Sequence, residues 1–328
     1  MTTNGGILRA RIDHQHKNKT LRDPVLYRVV EGKLCPTYDF ACPVVDSLEG
    51  VTHALRDIQY SDRRSLYEWV QVKLNLKRTE LVEFSRLSFK GLDLSKRKMK
   101  QAVEELKTDW SDPRLPTLRG FFRRGLKPEA LVEFIGHLGI KSTVKMEMDK
   151  LWTLNKKLID ATTPRCLMVP EVGILAVQVE APDYCSRSVP IHPSHKNNTT
   201  RPLLLSPDIW VPNDDVKDAA VGDVIMLMHW GRFKVKAIGE EGIVLQRVEG
   251  KDHVTRFVNW VPRDTCQRYT VREVKGINIV STQYLGELYL NTLEVGTAIQ
   301  IFRDKGCYCK KDADYEFIRF PNGRLKTL

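Results

Sequence analysis

Between Leu94 and Lys98 the chain reads Leu-Ser-Lys-Arg-Lys, three cations in the segment that opens a helix. Backbone N–H groups at a helix start lack intrahelical acceptors, and lysines beside them add mobile positive charge, so such a segment can grip a phosphate chain. Taken alone the signal is weak, because a basic helix start is more often a solvated surface. Its neighbourhood is basic too: from Lys90 to Lys127 there are eleven Lys or Arg and five Asp or Glu, in a chain of formal net charge +11. A belt of that kind suits a polyanion met through its phosphates. Further on, Trp210, Trp230, Arg232, Trp260 and Arg263 could lie against unpaired bases, although aromatic residues on strands more often build a core.

Several other chemistries are excluded. There is no G-x-x-x-x-G-K-[ST] loop and no G-x-G-x-x-G after a strand, so any nucleotide is held in another way. The seven cysteines, at 35, 42, 166, 185, 266, 307 and 309, have no repeating pair spacing and form no disulfide framework. Cys307 and Cys309 make one C-x-C without the second pair that a four-donor zinc site needs, so no metal site is expected.

The elements that must position these residues change type along the chain. Leu66, Trp69, Val70 and Leu74 recur at helical spacing behind Ser61 and Asp62, and a second helix follows Ser95 with Met99, Ala102, Val103 and Leu106. A third starts at Pro128 with Leu131, Phe134, Ile135 and Leu138, and a fourth carries Met148, Leu151, Trp152, Leu158 and Ile159. Leu81 to Leu87 alternates as a strand. From Glu171 onward the apolar spacing is mostly two, as in Leu175, Val177 and Val179, with turns at Pro182-Asp183, Gly231, Gly242 and Gly276. The fold class is therefore α/β followed by all-β.

With 328 residues, 42% hydrophobic and 28% charged, the composition is that of a folded chain of two or three domains. The longest apolar stretches fall well short of the roughly 18 residues of a membrane span, and the N-terminus lacks a signal-peptide core. The expectation is a cytoplasmic protein without a membrane partner.

Specific stretches resemble a known family. Pro36-Thr37-Tyr38-Asp39-Phe40-Ala41-Cys42-Pro43, Asp46-Ser47-Leu48-Glu49-Gly50-Val51-Thr52-His53-Ala54-Leu55-Arg56, Glu83-Phe84-Ser85-Arg86-Leu87 and Leu94 to Lys98 are similar, in order and spacing, to the second half of a class I glutamyl-tRNA synthetase of the archaeal and eukaryotic type. Trp110 to Gly120 and Arg123-Arg124-Gly125 continue the match, and Leu8 to Asp13 with Leu21 to Pro24 resembles the end of the family's acceptor-binding insertion. The resemblance is dense over 7–165 and looser beyond.

What the resemblance implies is specific. Ser95, Lys96 and Lys98 fall in the family's Lys-Met-Ser-Lys-Ser loop, Lys96 at the second lysine, which steadies ATP phosphates while the adenylate forms. Arg86 matches the residue beside adenosine and Leu87 the backbone contact to the base. Tyr38 matches a tyrosine of the amino-acid pocket, and Arg56 stands where glutaminyl enzymes usually have cysteine. A guanidinium there can pair bidentately with the γ-carboxylate of glutamate, a costly group to bury unpaired. The plainer alternative is an internal ion pair of Arg56 with Asp57 or Asp62. Arg114, Arg119, Arg123 and Arg124 suit the inner corner of tRNA, with a solvated helical face as the alternative.

The implied organisation is the end of the acceptor-binding insertion over 1–34, the second half of a Rossmann-like catalytic fold over 35–98, a helical connector over 99–165, and two antiparallel β-barrels that bind the anticodon over 166–328. The implied cofactor is ATP with Mg2+ and no tightly bound metal; the implied partners are glutamate, its tRNA, and either the missing N-terminal half or a multi-synthetase complex. The family's His-Ile-Gly-His motif is absent: His14-Gln15-His16 lacks the glycine, and Gly136-His137-Leu138-Gly139 has the wrong order. The expectation is a C-terminal portion of a glutamate-tRNA ligase that makes no adenylate alone, the alternative being a non-catalytic tRNA-binding or scaffolding protein derived from one.

Overall fold

The computed structural model describes residues 6–137, 143–180, 185–193, 199–240, 242–250, 253–302 and 307–321. Two compact units are formed, one from 1–88 with 135–146 and the other from 89–134 with 147–328.

In the first unit, β1 (Ile7–Arg9), β2 (Val25–Val30) and β3 (Lys33–Pro36) make an antiparallel sheet. Thr37, whose hydroxyl donates to the carbonyl of Val25, then starts helix α1 (Tyr38–Leu48), an element the sequence reading did not anticipate because Pro43 interrupts its pattern. Proline removes one helical N–H, and the carbonyl of Pro43 itself is taken by the buried Gln71 amide at 3.1 Å. Gln71 belongs to α2 (Arg64–Lys73), the predicted first helix; Ser61 and Asp62 lie in the 3₁₀ turn before it. Leu66 and Val70 of α2 meet Phe40 and Val44 of α1. The predicted strand 81–87 divides at Ser85 because its halves have different partners. β5 (Glu80–Phe84) runs parallel to β4 (His53–Asp57), and β6 (Arg86–Phe89) pairs with β7 (Thr143–Met146).

The second unit opens with α3 (Lys96–Glu105), whose expected apolar stripe is only half-buried, followed by α4 (Leu118–Arg123), α5 (Pro128–Gly136) and α6 (Met148–Asp160). Leu138, expected on the third helix, lies outside the described residues. Trp152 of α6 is wholly buried, edge-on to Phe121 and tilted against Phe320. Asn155, also buried, accepts from the Lys127 N–H at 2.8 Å and donates to the Gly125 carbonyl at 3.1 Å. Gly125 sits at φ +99°, and a Cβ there would lie 2.2 Å from the Phe320 ring, so no side chain fits.

Two seven-stranded, mainly antiparallel, barrel-like sheets follow. Across the first the order is Arg256–Val258, Val224–Leu227, Gly231–Gly239, Gly242–Arg247, Ile174–Glu180, Asp208–Pro212 and Val261–Pro262. Across the second it is Arg165–Cys166, Ala298–Ile301, Tyr308–Ala313, Glu316–Arg319, Gln267–Lys275, Asn278–Gly286 and Met168–Pro170. Inward residues at alternate positions, such as Val177, Val179, Phe233 and Val235 in the first and Tyr269, Val271, Ile299 and Phe317 in the second, build separate cores. Cys307 and Cys309 are buried in the second core, their sulfurs 3.6 Å apart. The helical connector is stitched to this sheet. Arg123 forks onto Asp312 with two bonds of 2.8 Å, Lys310 donates to the Phe122 carbonyl at 2.7 Å, and the Tyr308 phenol donates to Asp160. Among the described residues no helix is long and apolar enough to cross a membrane, and no group of three His, Cys, Asp or Glu could hold a metal ion.

The turn before α4 hangs on one carboxylate. Buried Asp112 accepts from the Thr108 hydroxyl at 2.7 Å, the Arg114 backbone N–H at 2.8 Å, and Nε and Nη2 on one edge of the Arg114 guanidinium at 2.9 and 2.6 Å. Burial alone would raise its pKa, but the Arg114 side chain and N–H and the Thr108 hydroxyl outweigh it and hold the pKa near 2. A carboxyl depressed in the folded state stabilises it above the ordinary pKa and loses that contribution as pH falls through the folded value. Asp112→Asn is therefore expected to cost about 2 kcal/mol at pH 7, and urea denaturation at descending pH should show the gap from wild type narrowing below pH 4.

Candidate functional site

Tyr38, Arg56 and Arg86 with Leu87 lie in the first unit; Ser95, Lys96 and Lys98 lie in the second, with the four connector arginines. In the first unit α1 starts at Tyr38, and β4 brings Arg56 beneath it. Arg56 Nη1 donates to the Tyr38 oxygen, and Nη2 reaches Asp46 Oδ2 at 2.9 Å. The guanidinium carbon lies 5.3 Å from the centre of the Tyr38 ring and 5.2 Å from that of Tyr67. Burial opposes the charge on Arg56, but its contacts with Cys42, Tyr38 and Asp46 outweigh burial and keep its pKa above the ordinary value. Burial and the bond to Asp46 push the Tyr67 phenol up to about 12, so it remains a donor at neutral pH. Cys42, Tyr60 and Arg63 line the same cleft, Arg63 held by both oxygens of Asp39 at 2.7 Å. Arg56 thus has an internal ion pair, with Asp46 rather than Asp57 or Asp62. Nothing in sequence spacing singles out Asp46 from its acidic neighbours. Arg86 is exposed on β6, with Leu87 half-buried beside it.

In the second unit Ser95 occupies the N-cap of α3 without a side-chain capping bond. Asp93 accepts from the Ser95 N–H at 2.9 Å and pairs with Lys98 at 2.6 Å, and the Lys98 bond draws its carboxyl below the usual range. Lys96 is exposed and carries no ion pair among the described residues. An uncapped helix start beside an unneutralised ammonium can accept a phosphate.

The four connector arginines separate by environment. Arg114 and Arg123 are forked onto Asp112 and Asp312, Arg124 is buried over Trp152 with its pKa lowered by burial to about 10, and Arg119 is exposed. Of the aromatic candidates, Trp230 and Trp260 pack against each other in the first sheet's core, while half-exposed Trp210 carries Arg263 on its face at 4.8 Å. Arg232 donates to the carbonyl of Gly250.

Sequence reading missed a further site. Arg201, wholly buried, donates to Glu287, to the Arg165 carbonyl at 3.0 Å, and lies 5.2 Å from the Tyr289 ring centre. Glu287 also accepts from the Leu167 N–H at 2.7 Å. The pair floors a cleft walled by Pro202, Leu204, Thr265, Leu288 and Tyr289. One signal was available, an arginine inside the strand Thr200–Leu205 just before an apolar run; its partner 86 positions away was not legible.

Residues 3–161 match the family model for the catalytic domain of tRNA synthetases class I (E and Q), and 163–251 match the model for their anti-codon binding domain. A bifunctional glutamate/proline–tRNA ligase of Cricetulus griseus is 35% identical, over 98% of this chain and 25% of its own length. A cytoplasmic glutamate–tRNA ligase of Arabidopsis thaliana is 39% identical, over 78% of this chain and 38% of its own, and that of Saccharomyces cerevisiae is 32% identical, over 97% and 50%. The chain therefore spans half or less of the length of these relatives.

Burial pushes Glu287 up to about 7 despite its guanidinium partner. Removing that partner leaves a carboxylate with no compensating charge, so Arg201→Ala is expected to cost about 3–5 kcal/mol at neutral pH. Because the folded pKa is above the unfolded one, the ionised form is what burial penalises, and protonation relieves it. Chemical denaturation should show the Arg201→Ala defect small below pH 6 and growing as pH rises through the wild-type Glu287 value of about 7.

Proposed function

The chain belongs to the class I (E and Q) tRNA synthetases, and from that membership we propose that it is the part of a cytoplasmic glutamate-tRNA ligase that reads the amino-acid side chain and binds the tRNA body and anticodon. The observation that carries the choice of glutamate is Arg56, a fixed guanidinium beside the Tyr38 phenol in an aromatic-walled cleft. An arginine so placed recognises a carboxylate and gives little to a neutral amide.

ATP phosphates are assigned to Lys96 with Ser95 and Lys98, and the adenosine to Arg86 and Leu87. The fit rests on the uncapped α3 start and on exposed cations at Lys96 and Arg86 that have no carboxylate partner among the described residues. Lys98 already has Asp93, so its part is to hold the loop, and Lys96 supplies charge to the α-phosphate as negative charge builds there. Mg2+ would come with the nucleotide. Lacking a His-Ile-Gly-His motif, the 328-residue polypeptide is proposed not to form adenylate by itself.

For tRNA, Arg119 is the direct phosphate contact of the connector, since Arg114 and Arg123 each already fork one edge onto a carboxylate and Arg124 is buried; these three shape the surface that carries it. In the anticodon-binding region, the cleft floored by Arg201 and walled by Tyr289 offers a plane and a charged floor for one splayed base, and Trp210 with Arg263 a second stacking face.

Titration of the chain with tRNA for glutamate and with an unrelated tRNA over a salt series tests this reading. Selective binding that weakens steeply with salt is expected, and Arg119→Ala should reduce the slope of log K against log salt by about one. Salt-independent or absent binding would sink it. In a full-length enzyme, Arg56→Cys should weaken glutamate activation far more than ATP binding, whereas Lys96→Ala should slow adenylation with glutamate affinity little changed.

A further inference from the structure

One oxygen of Asp46 joins three elements of the first unit. Oδ2, on α1, accepts from Arg56 Nη2 of β4 at 2.9 Å and from the Tyr67 phenol of α2 at 2.7 Å. With Tyr38 on Nη1 and two tyrosine rings against its faces, the guanidinium has one orientation left. Tyr38, Asp46 and Cys42 each engage one of its five N–H donors, and two remain for a ligand.

The packing of α1 on α2 does not need this carboxylate. That contact has its own apolar residues, Leu66 and Val70 against Phe40 and Val44, and its own polar lock, the buried Gln71 amide on the Pro43 carbonyl and on Thr79. Asp46 therefore spends its charge on Arg56. A free arginine samples many rotamers and would have to lose them on binding; one already clamped does not.

We propose that Asp46 is the positioning residue of the amino-acid pocket, holding Arg56 so that its remaining N–H groups meet a side-chain carboxylate, with Tyr67 holding Asp46 in turn. The proposal rests on the reading of Arg56 as the carboxylate-binding group. It makes Asp46 a determinant of the preference for glutamate over glutamine although Asp46 touches neither. An anionic residue next to the site could instead act as a competitor that repels the substrate, and the two roles predict opposite signs.

The test uses the whole 328-residue chain, Arg-selective ¹⁵N spectra, and titration with L-glutamate and L-glutamine. In wild type the Arg56 guanidinium should rotate slowly about its Nε–Cζ bond. In Asp46→Asn that rotation should become fast and glutamate affinity fall about tenfold, the worth of one charge-assisted hydrogen bond, with glutamine affinity unchanged. Tyr67→Phe should show a smaller change in the same direction. Unchanged rotation in Asp46→Asn, or glutamate affinity that rises, would overturn the positioning role. Arg56→Lys keeps the charge and loses the fork: if it binds glutamate as wild type does, the error lies in the reading of Arg56, whatever its mobility in Asp46→Asn.

Discussion

A guanidinium taken out of water must find a carboxylate or an aromatic face, and this constraint organises both units. Arg56 has Asp46 and two tyrosine rings, Arg114 has Asp112, Arg123 has Asp312, Arg124 has Trp152, and Arg201 has Glu287 and Tyr289. A bidentate fork specifies direction as well as distance, so the Arg123–Asp312 fork fixes how α4 meets the strand that carries Asp312. The lysines behave differently. Lys96 and Lys100 of α3 remain at the surface, where a compact, well-hydrated charge loses little by staying solvated.

That division gives the basic belt between Lys90 and Lys127 two kinds of member. Its forked arginines are internal structure, while Lys96, Arg97, Arg119 and Lys127 are exposed with no ion pair among the described residues. The surplus of positive charge read from composition is thus larger than the surplus a polyanion meets. The same logic reaches the Tyr38–Arg56 cleft, where Asp46 and Asp39 balance Arg56 and Arg63. On the function proposed above, a substrate carboxylate would join pairs that are already neutral, and discrimination would come from donor geometry more than from bare attraction.

Much of this was legible beforehand. Helical spacing located α2, α3, α5 and α6, and period-two alternation located the two sheets, because those patterns record which face is buried. Helix α1 escaped because Pro43 breaks the expected pattern, and its rescue by Gln71 is a tertiary contact. The split at Ser85 escaped because pairing partners are chosen in space. Tyr38, Arg56 and the lysine loop stood out through ordered motifs, yet Asp46, Glu287 and Asp312 were invisible as partners. Acidic residues look alike in a sequence, and the one that matters is decided by the fold, across 86 positions for Glu287 and 189 for Asp312.

The 189-residue reach of the Arg123–Asp312 fork bears on how the chain matures at the ribosome. Domains generally fold N-terminal first during synthesis, as units become complete. Here α4 emerges early, but its guanidinium has no fork to close, and Gly125 no Phe320 ring to meet, until both barrel-like sheets have been translated. Through that interval the connector is a collection of short helices without its final seam. Its seam with the second sheet is therefore among the last contacts that the growing chain can make.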